Sequence, residues 1–333
     1  MDFIKEIVRL HYGMEVIEVN KLTVGAGSNT YFLVTDFGNY ILKNANINEA
    51  NNPQNEPSLC EYLLARGLPV SEFIKDTDGD YLFSHDNKMY HMQRFIEGVN
   101  YEWNEAPIWL LRESAQVLGK IHKALSDYTL LPVGIGENFF KYMTPQNALA
   151  SYEKSYHYAR QINDDQSAED ILFRIDLMKR FSVPDIQIDR LTRKNTHGDF
   201  FISQLICGEN KINAVIDWTT ACIHPVVWEV IRSYVYATPE CRNGDIDTAK
   251  FLCYVKDYLS FSPLTESDMK MMPYIFYYQI SVCDYYNQYF QSNADNREIY
   301  LQQASLSTKL MKWFDKNADD FSDFLIKSIN TEV

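Results

Sequence analysis

His197-Gly198-Asp199-Phe200-Phe201-Ile202-Ser203-Gln204, followed by the run Ile212-Asn213-Ala214-Val215-Ile216 and then Asp217-Trp218, is the stretch on which the fold turns. It offers a carboxylate, an amide five positions later, and a second carboxylate at the end of a β-like run. Phosphoryl transfer asks for such a set: one carboxylate to orient an attacking hydroxyl, and two oxygen ligands to hold a divalent cation beside nucleotide phosphates. The separation of 18 positions (217 − 199) fits one intervening hairpin. His197 reads as a structural residue that packs against backbone and fixes the loop.

Upstream, Phe3 to Leu10 carries Phe3, Ile4, Ile7, Val8 and Leu10 at helical spacing. Thr23-Val24-Gly25-Ala26-Gly27-Ser28-Asn29 is a turn, and Tyr31–Thr35 and Tyr40–Lys43 are strands joined by Asp36-Phe37-Gly38-Asn39, a hairpin. Asn55 to Arg66 reads as a helix closed by Gly67. Glu72 to Ile74, Tyr81 to Ser84 and Met89 to Ile96 are strands, with turns at Asp78-Gly79 and Asp86-Asn87. Pro107 to Leu125 is a long amphipathic helix, residues 126 to 194 mix polar loops with helical pieces, and the chain is helical from Val226 onward. The change from β-rich to α-rich texture near Gly98 predicts a domain boundary, with residues 1–97 on one side and 98–333 on the other.

Taken in order, these features resemble the aminoglycoside phosphotransferase and choline kinase family, small-molecule kinases that share the protein-kinase fold. The resemblance is carried by His197-Gly198-Asp199 through Gln204, by Ile216-Asp217-Trp218, and by the glycine turn, Lys43 and Glu56 ahead of them. It implies an α+β, two-lobed protein-kinase-like fold, with a small antiparallel β N-lobe holding one helix and a larger, mainly helical C-lobe. It implies ATP or GTP with Mg²⁺ as cofactors. Asp199 would be the catalytic base, and Asp217 and Gln204 the metal ligands. Ser28 and Asn29 would lie at the phosphates, Lys43 would pair the α- and β-phosphates, and Glu56 would hold Lys43. Gln93 and Phe95 would offer backbone groups to the base, with Met92 behind the ring. Gln204 departs from the family's asparagine: the amide oxygen is the same hard ligand, displaced by about 1.5 Å through one more methylene, where Mg²⁺ asks for near-ideal octahedral geometry. Asp36-Phe37-Gly38 is similar to a metal-binding tripeptide of protein kinases, but it lies between two strands and reads as a turn. The Ala-Pro-Glu activation segment of protein kinases is not found after Asp217, which makes a small molecule the expected acceptor.

Composition sets the remaining bounds. Over 333 residues, 46% are hydrophobic and 23% charged, the values of an ordinary folded chain. The net charge of −14 argues against nucleic acid and favours a cationic small molecule, aminoglycoside-like or choline-like. Tyr274, Phe276, Tyr277, Tyr278, Asp284, Tyr285, Tyr286, Tyr289 and Phe290 read as one long helix whose rings and acid either bind an ammonium or form core. Six cysteines without a Cys-x-x-Cys pair fit reduced thiols, and the absence of a signal-like or membrane-spanning run predicts a cytoplasmic protein with no membrane partner. The alternative function on the same fold is a non-catalytic nucleotide or metabolite sensor, which Gln204 leaves open.

Overall fold

The structure, a computed structural model, describes residues 1–22, 29–45, 55–292 and 294–330. The chain gathers into two compact units: Met1–Asn100 with His197–Asp199 and Ser203–Ala221, and Tyr101–Thr196 with Phe200–Ile202 and Cys222–Val333. The units are not two halves of the chain, because the acid-bearing stretch around Asp199 and Asp217 folds with the first.

The first unit opens with α1 (Asp2–Tyr12), which buries Ile4, Ile7, Val8 and Tyr12 along one face. It ends where Gly13 turns left-handed at φ 64° and donates its N–H to the Arg9 carbonyl. Strands β1 (Val16–Leu22), β2 (Thr30–Thr35) and β3 (Gly38–Ala45) follow, then α2 (Asn55–Leu64), β4 (Phe73–Ile74), β5 (Leu82–His85) and β6 (Lys88–Arg94). They form one antiparallel sheet in the order β1-β2-β3-β6-β4, with β5 also paired to β6. Leu33, Tyr40, Leu42, Tyr90 and Met92 share one sheet face and pack with Ile4, Ile7 and Val8 of α1. Burying an aliphatic side chain of this size stabilises by roughly 1.5–3 kcal/mol each, so α1 closes this face of the sheet. Asp36 and Phe37 form the turn between β2 and β3, consistent with the turn reading of that tripeptide.

In the second unit α3 (Ile108–Ala124) leads to α4 (Glu137–Tyr142), α5 (Pro145–Gln161), α6 (Asp165–Met178) and strand β7 (Arg193–Thr196). The chain then makes the hairpin β8 (Leu205–Gly208) and β9 (Lys211–Val215) in the first unit. Strand β10 (Cys222–Pro225) pairs with β7, and α7 (Val226–Ala237), α8 (Thr248–Leu259), α9 (Glu266–Val282), α10 (Tyr285–Gln291) and α11 (Ala294–Asn330) complete the chain. The fully buried Arg174 ties α6 to α5 and α11 through Tyr152 Oη at 3.0 Å, Thr308 Oγ1 at 2.9 Å, Ser307 Oγ at 2.6 Å and the Ala304 carbonyl at 2.9 Å. His122, also fully buried, bridges Tyr258 Oη at 2.9 Å and Glu229 Oε2 at 2.8 Å. The architecture is α+β, an antiparallel sheet with helices in one unit and mainly helices in the other, as the sequence predicts.

One expectation is corrected. The aromatic run is not a single helix: α9 stops at Val282 and α10 starts at Tyr285. Asp284 breaks the run by accepting the Asn287 N–H as an N-cap and a hydrogen bond from Ser151. Tyr274, Phe276, Tyr277, Tyr278, Tyr285, Tyr286 and Tyr289 are all buried, so the core reading of these rings prevails over the ammonium-binding one. Among the described residues no helix is long and apolar enough to cross a membrane.

Candidate active site

The β8–β9 hairpin brings the three oxygen-bearing residues together within the first unit. Ile216 donates its N–H to the Gln204 carbonyl at 2.9 Å, closing the hairpin one residue before Asp217. His197 joins the other end: its Nε2 lies 2.9 Å from the Ile216 carbonyl, and its Nδ1 accepts the Asp199 N–H at 3.2 Å. Only the Nε2–H tautomer satisfies both contacts. The buried ring therefore holds Asp199 and the strand leading to Asp217 at a fixed separation, as its structural reading expects. Gln204 Nε2 reaches Asp199 Oδ2 at 3.5 Å. Asn100 steadies the loop by donating to the Ser203 carbonyl at 3.1 Å and the Leu205 carbonyl at 3.0 Å.

Asp217 sits in the left-handed region at φ 63°, a conformation that aspartate tolerates better than bulkier residues. Its Oδ1 accepts from Thr219 Oγ1 and from Lys43 Nζ, each at 3.0 Å. Burial would raise its carboxyl, but the Lys43 charge, the Lys43 hydrogen bond and Thr219 together hold it below its ordinary value. Glu56 of α2 accepts the Trp218 N–H at 3.0 Å on Oε1. Its carboxyl is pushed up to about 7, first by burial, with Lys43 pulling it down, Asp217 pushing it up and the Trp218 N–H opposing. Lys43 thus lies in the field of both acids and ion-pairs with Asp217. The sequence paired it with Glu56.

Register decides which strand residues share the face with Lys43. Lys43 lies opposite His91 and Ile41 opposite Gln93, so these four point the same way, whereas Met92 pairs with Leu42 and belongs to the core under α1. Phe95 donates its N–H to the Asn39 carbonyl at 3.0 Å and sets its ring 4.8 Å from Phe32, edge to face. Asn29 accepts the Asn44 N–H at 2.9 Å next to the Thr30–Lys43 pair, so it begins β2 beside Lys43. Ser28 lies outside the described residues. Sequence reading missed Phe32, Ile41 and His91, which the two-residue alternation counted back from Lys43 would have supplied. His91 is buried, with neither ring nitrogen hydrogen-bonded. Burial and then the Lys43 charge bring its pKa down to about 3, keeping it neutral.

The chain is 24% identical to homoserine kinase of Zymomonas mobilis over 258 residues, which cover 76% of this chain and 75% of that protein. In structure it is similar to amicoumacin kinase in complex with AMP-PNP, Ca²⁺ and Ami, with a TM-score of 0.64 and 14% identity over 92% of each chain. It is also similar to choline kinase of Streptococcus pneumoniae, with a TM-score of 0.52 and 18% identity over 92% of this chain and 98% of that one. At such identities the structural likeness speaks for the fold. Residues 18–260, well over half of the chain, match the phosphotransferase enzyme family, and the chain belongs to that family.

Proposed function

We propose that the chain transfers the γ-phosphate of ATP or GTP to a hydroxyl of a small amine-bearing molecule, with Asp199 as the catalytic base. The observation that supports this most is the coupling of Asp199, Gln204 and Asp217 through His197 and the Gln204–Ile216 backbone bond, with Lys43 already on Asp217. In this reading Asp199 accepts a hydrogen bond from the acceptor hydroxyl and orients its oxygen in line with the γ-phosphorus. As the new oxygen–phosphorus bond forms and the bond to the β-phosphate oxygen breaks, the hydroxyl proton passes to Asp199 and the nucleoside diphosphate leaves. Lys43 carries the positive charge for the α- and β-phosphates.

Asp217 and Gln204 fit a Mg²⁺ ion: a carboxylate and an amide oxygen are hard donors, and two protein ligands leave positions for water and phosphate oxygens. When bound, that ion supplies charge neutralisation at the phosphates. Homoserine kinase and choline kinase, by their names, act on hydroxyl compounds that carry an amine, and the net charge of −14 suits an acceptor with a positive group.

The test is a screen of hydroxyl-bearing amines with Mg²⁺-ATP and Mg²⁺-GTP, in which Asp199→Ala abolishes phosphate transfer. A second reading, a nucleotide sensor without transfer, draws on the 3.5 Å approach of the Gln204 amide to Asp199, which turns that side chain toward the base. Nucleotide binding with no transfer to any acceptor would establish it instead.

A further inference from the structure

His91 is a polar side chain at a position whose surroundings ask for an apolar one. It is 2% exposed, and neither ring nitrogen has a hydrogen-bond partner among the described residues. Its row across the sheet holds Lys43 of β3 on one side and Leu82 of β5 on the other, and the Phe73 ring lies 4.9 Å away. A buried donor and acceptor left unpaired destabilise a folded chain, and an apolar residue of the same size avoids that cost. Lys43, Glu56, His91 and Asp217 all belong to the first unit, and besides burial the two influences on the His91 ring are the charges of Lys43 and Asp217.

Lys43 is the neighbour that can use such a group. In this structure its ammonium is held by Asp217 at 3.0 Å. The phosphotransferase reading asks Asp217 to serve a divalent cation and Lys43 to meet the α- and β-phosphates, so that ion pair has to loosen. Glu56 is a weak substitute near neutrality, because burial pushes its carboxyl up to about 7 and its Oε1 already accepts the Trp218 N–H. His91 stands directly opposite Lys43, and the Cβ atoms of such a pair lie about 4.5–5.5 Å apart, within reach of a lysine side chain. Burial and then the Lys43 charge bring its pKa down to about 3, so the ring is neutral and one nitrogen carries a lone pair. A neutral acceptor can fix an ammonium without cancelling its charge, as a carboxylate would. The whole positive charge is then left for the phosphates.

We propose that His91 is the positioning residue for Lys43: when the nucleotide and its cation engage Asp217, a ring nitrogen of His91 accepts a Lys43 N–H and holds the ammonium toward the phosphates. This rests on the phosphotransferase reading and deepens it. His91 touches no substrate and acts only through Lys43.

Binding tests it without any acceptor. Leucine fills a similar volume and removes both unpaired nitrogens, so His91→Leu should fold with a Tm no lower than that of the wild type. It is expected to raise the Kd of Mg²⁺-AMP-PNP by about 10- to 100-fold, the scale of a hydrogen bond to a charged group, while the Kd of adenosine, which lacks the phosphates, stays unchanged. His91→Gln, which keeps a neutral acceptor, should recover part of the loss. In a Lys43→Met background His91→Leu should change the Mg²⁺-AMP-PNP Kd by less than about twofold, because the partner it serves is gone. Nitrogen-15 NMR reads the contact in the wild type itself: the resonance of the unprotonated His91 nitrogen, identified by its absence from either variant, should move upfield on saturation with Mg²⁺-AMP-PNP.

An unchanged Kd in His91→Leu, an equal loss for adenosine and the nucleotide, or an effect that persists in full beside Lys43→Met would each overturn the positioning role and leave the kinase reading standing. If His91→Leu does not fold, the NMR measurement decides, and a His91 resonance that nucleotide leaves in place overturns the role. A wild-type protein that binds no Mg²⁺-AMP-PNP overturns the kinase reading and the role of His91 together.

Discussion

Glu56→Gln isolates the charge balance beneath Lys43. The Glu56 carboxyl is 5% exposed and moves from an ordinary value of 4.5 to about 7. That rise of about 2.5, at about 1.36 kcal/mol for each pH unit, corresponds to about 3 kcal/mol of bias toward the neutral acid in the folded chain. The sign follows from proton counting. Between 4.5 and 7 the folded state keeps the proton and the unfolded state releases it, so stability falls as pH rises through that window and the full penalty stands above it. Glutamine is neutral at every pH and keeps an oxygen for the Trp218 N–H, so it lacks that slope. The assay is urea unfolding of nucleotide-free wild type and variant at half-unit pH steps, taking the difference at each pH so that other titrating groups cancel. The variant should gain about 3 kcal/mol on the wild type between pH 4.5 and 7.5. A difference that stays flat, or that moves in favour of glutamate as pH rises, would refute the reasoning, because it would mean that Lys43 keeps Glu56 ionised.

Four further outcomes are expected. Asp199→Asn should lower kcat by about 10²–10⁴-fold while the thermal shift produced by Mg²⁺-AMP-PNP persists, since the amide removes the base without emptying the nucleotide site. Lys43→Met should raise the Kd for that nucleotide at least tenfold and let the Asp217 carboxyl climb once its ion pair is gone, visible by NMR titration as a midpoint above the wild-type one. Gly98→Ala should cost about 1–3 kcal/mol in unfolding, because Gly98 has φ 157° and a Cβ there would meet the Cys207 carbonyl oxygen and Ile206 Cγ2, each at 2.6 Å. Arg174→Met should cost about 3–5 kcal/mol, since it leaves Tyr152, Ser307, Thr308 and the Ala304 carbonyl without their buried donor.

The hairpin between Asp199 and Asp217 was legible because its logic is local. The polar residues Asp199, Gln204 and Asp217 bracket short apolar runs, and one hairpin is the only simple way to join them. β1 was missed for an equally local reason: a bulge between Val16 and Glu18 spoils the alternation, and the burial pattern along Val16–Leu22 repeats every three residues where a regular half-buried strand repeats every two. The choice between His91 and Met92 is of another kind. Both sit on an apolar strand, and only the pairing of β6 with β3 tells which shares a face with Lys43. The same holds for Lys43, whose contact with Asp217 spans 174 positions.

Tyrosine and acid content, read from composition as two hints about the acceptor, turn out to be one structural device. Tyr286 donates to Asp170 at 2.8 Å, Tyr274 to Asp319 at 2.6 Å, Tyr277 to Asp315 at 3.4 Å and Tyr289 to Asp164 at 3.3 Å. Each pair lets a helix bury a ring while its hydroxyl finds an aspartate oxygen as acceptor, and for Tyr277, Tyr274 and Tyr286 burial and the neighbouring acid both push the phenol upward and keep it a donor. Asp164, Asp247 and Asp284 also cap helices. An acid engaged in this way adds to the net charge without facing any ligand. A charge of −14 is therefore weak testimony about the acceptor.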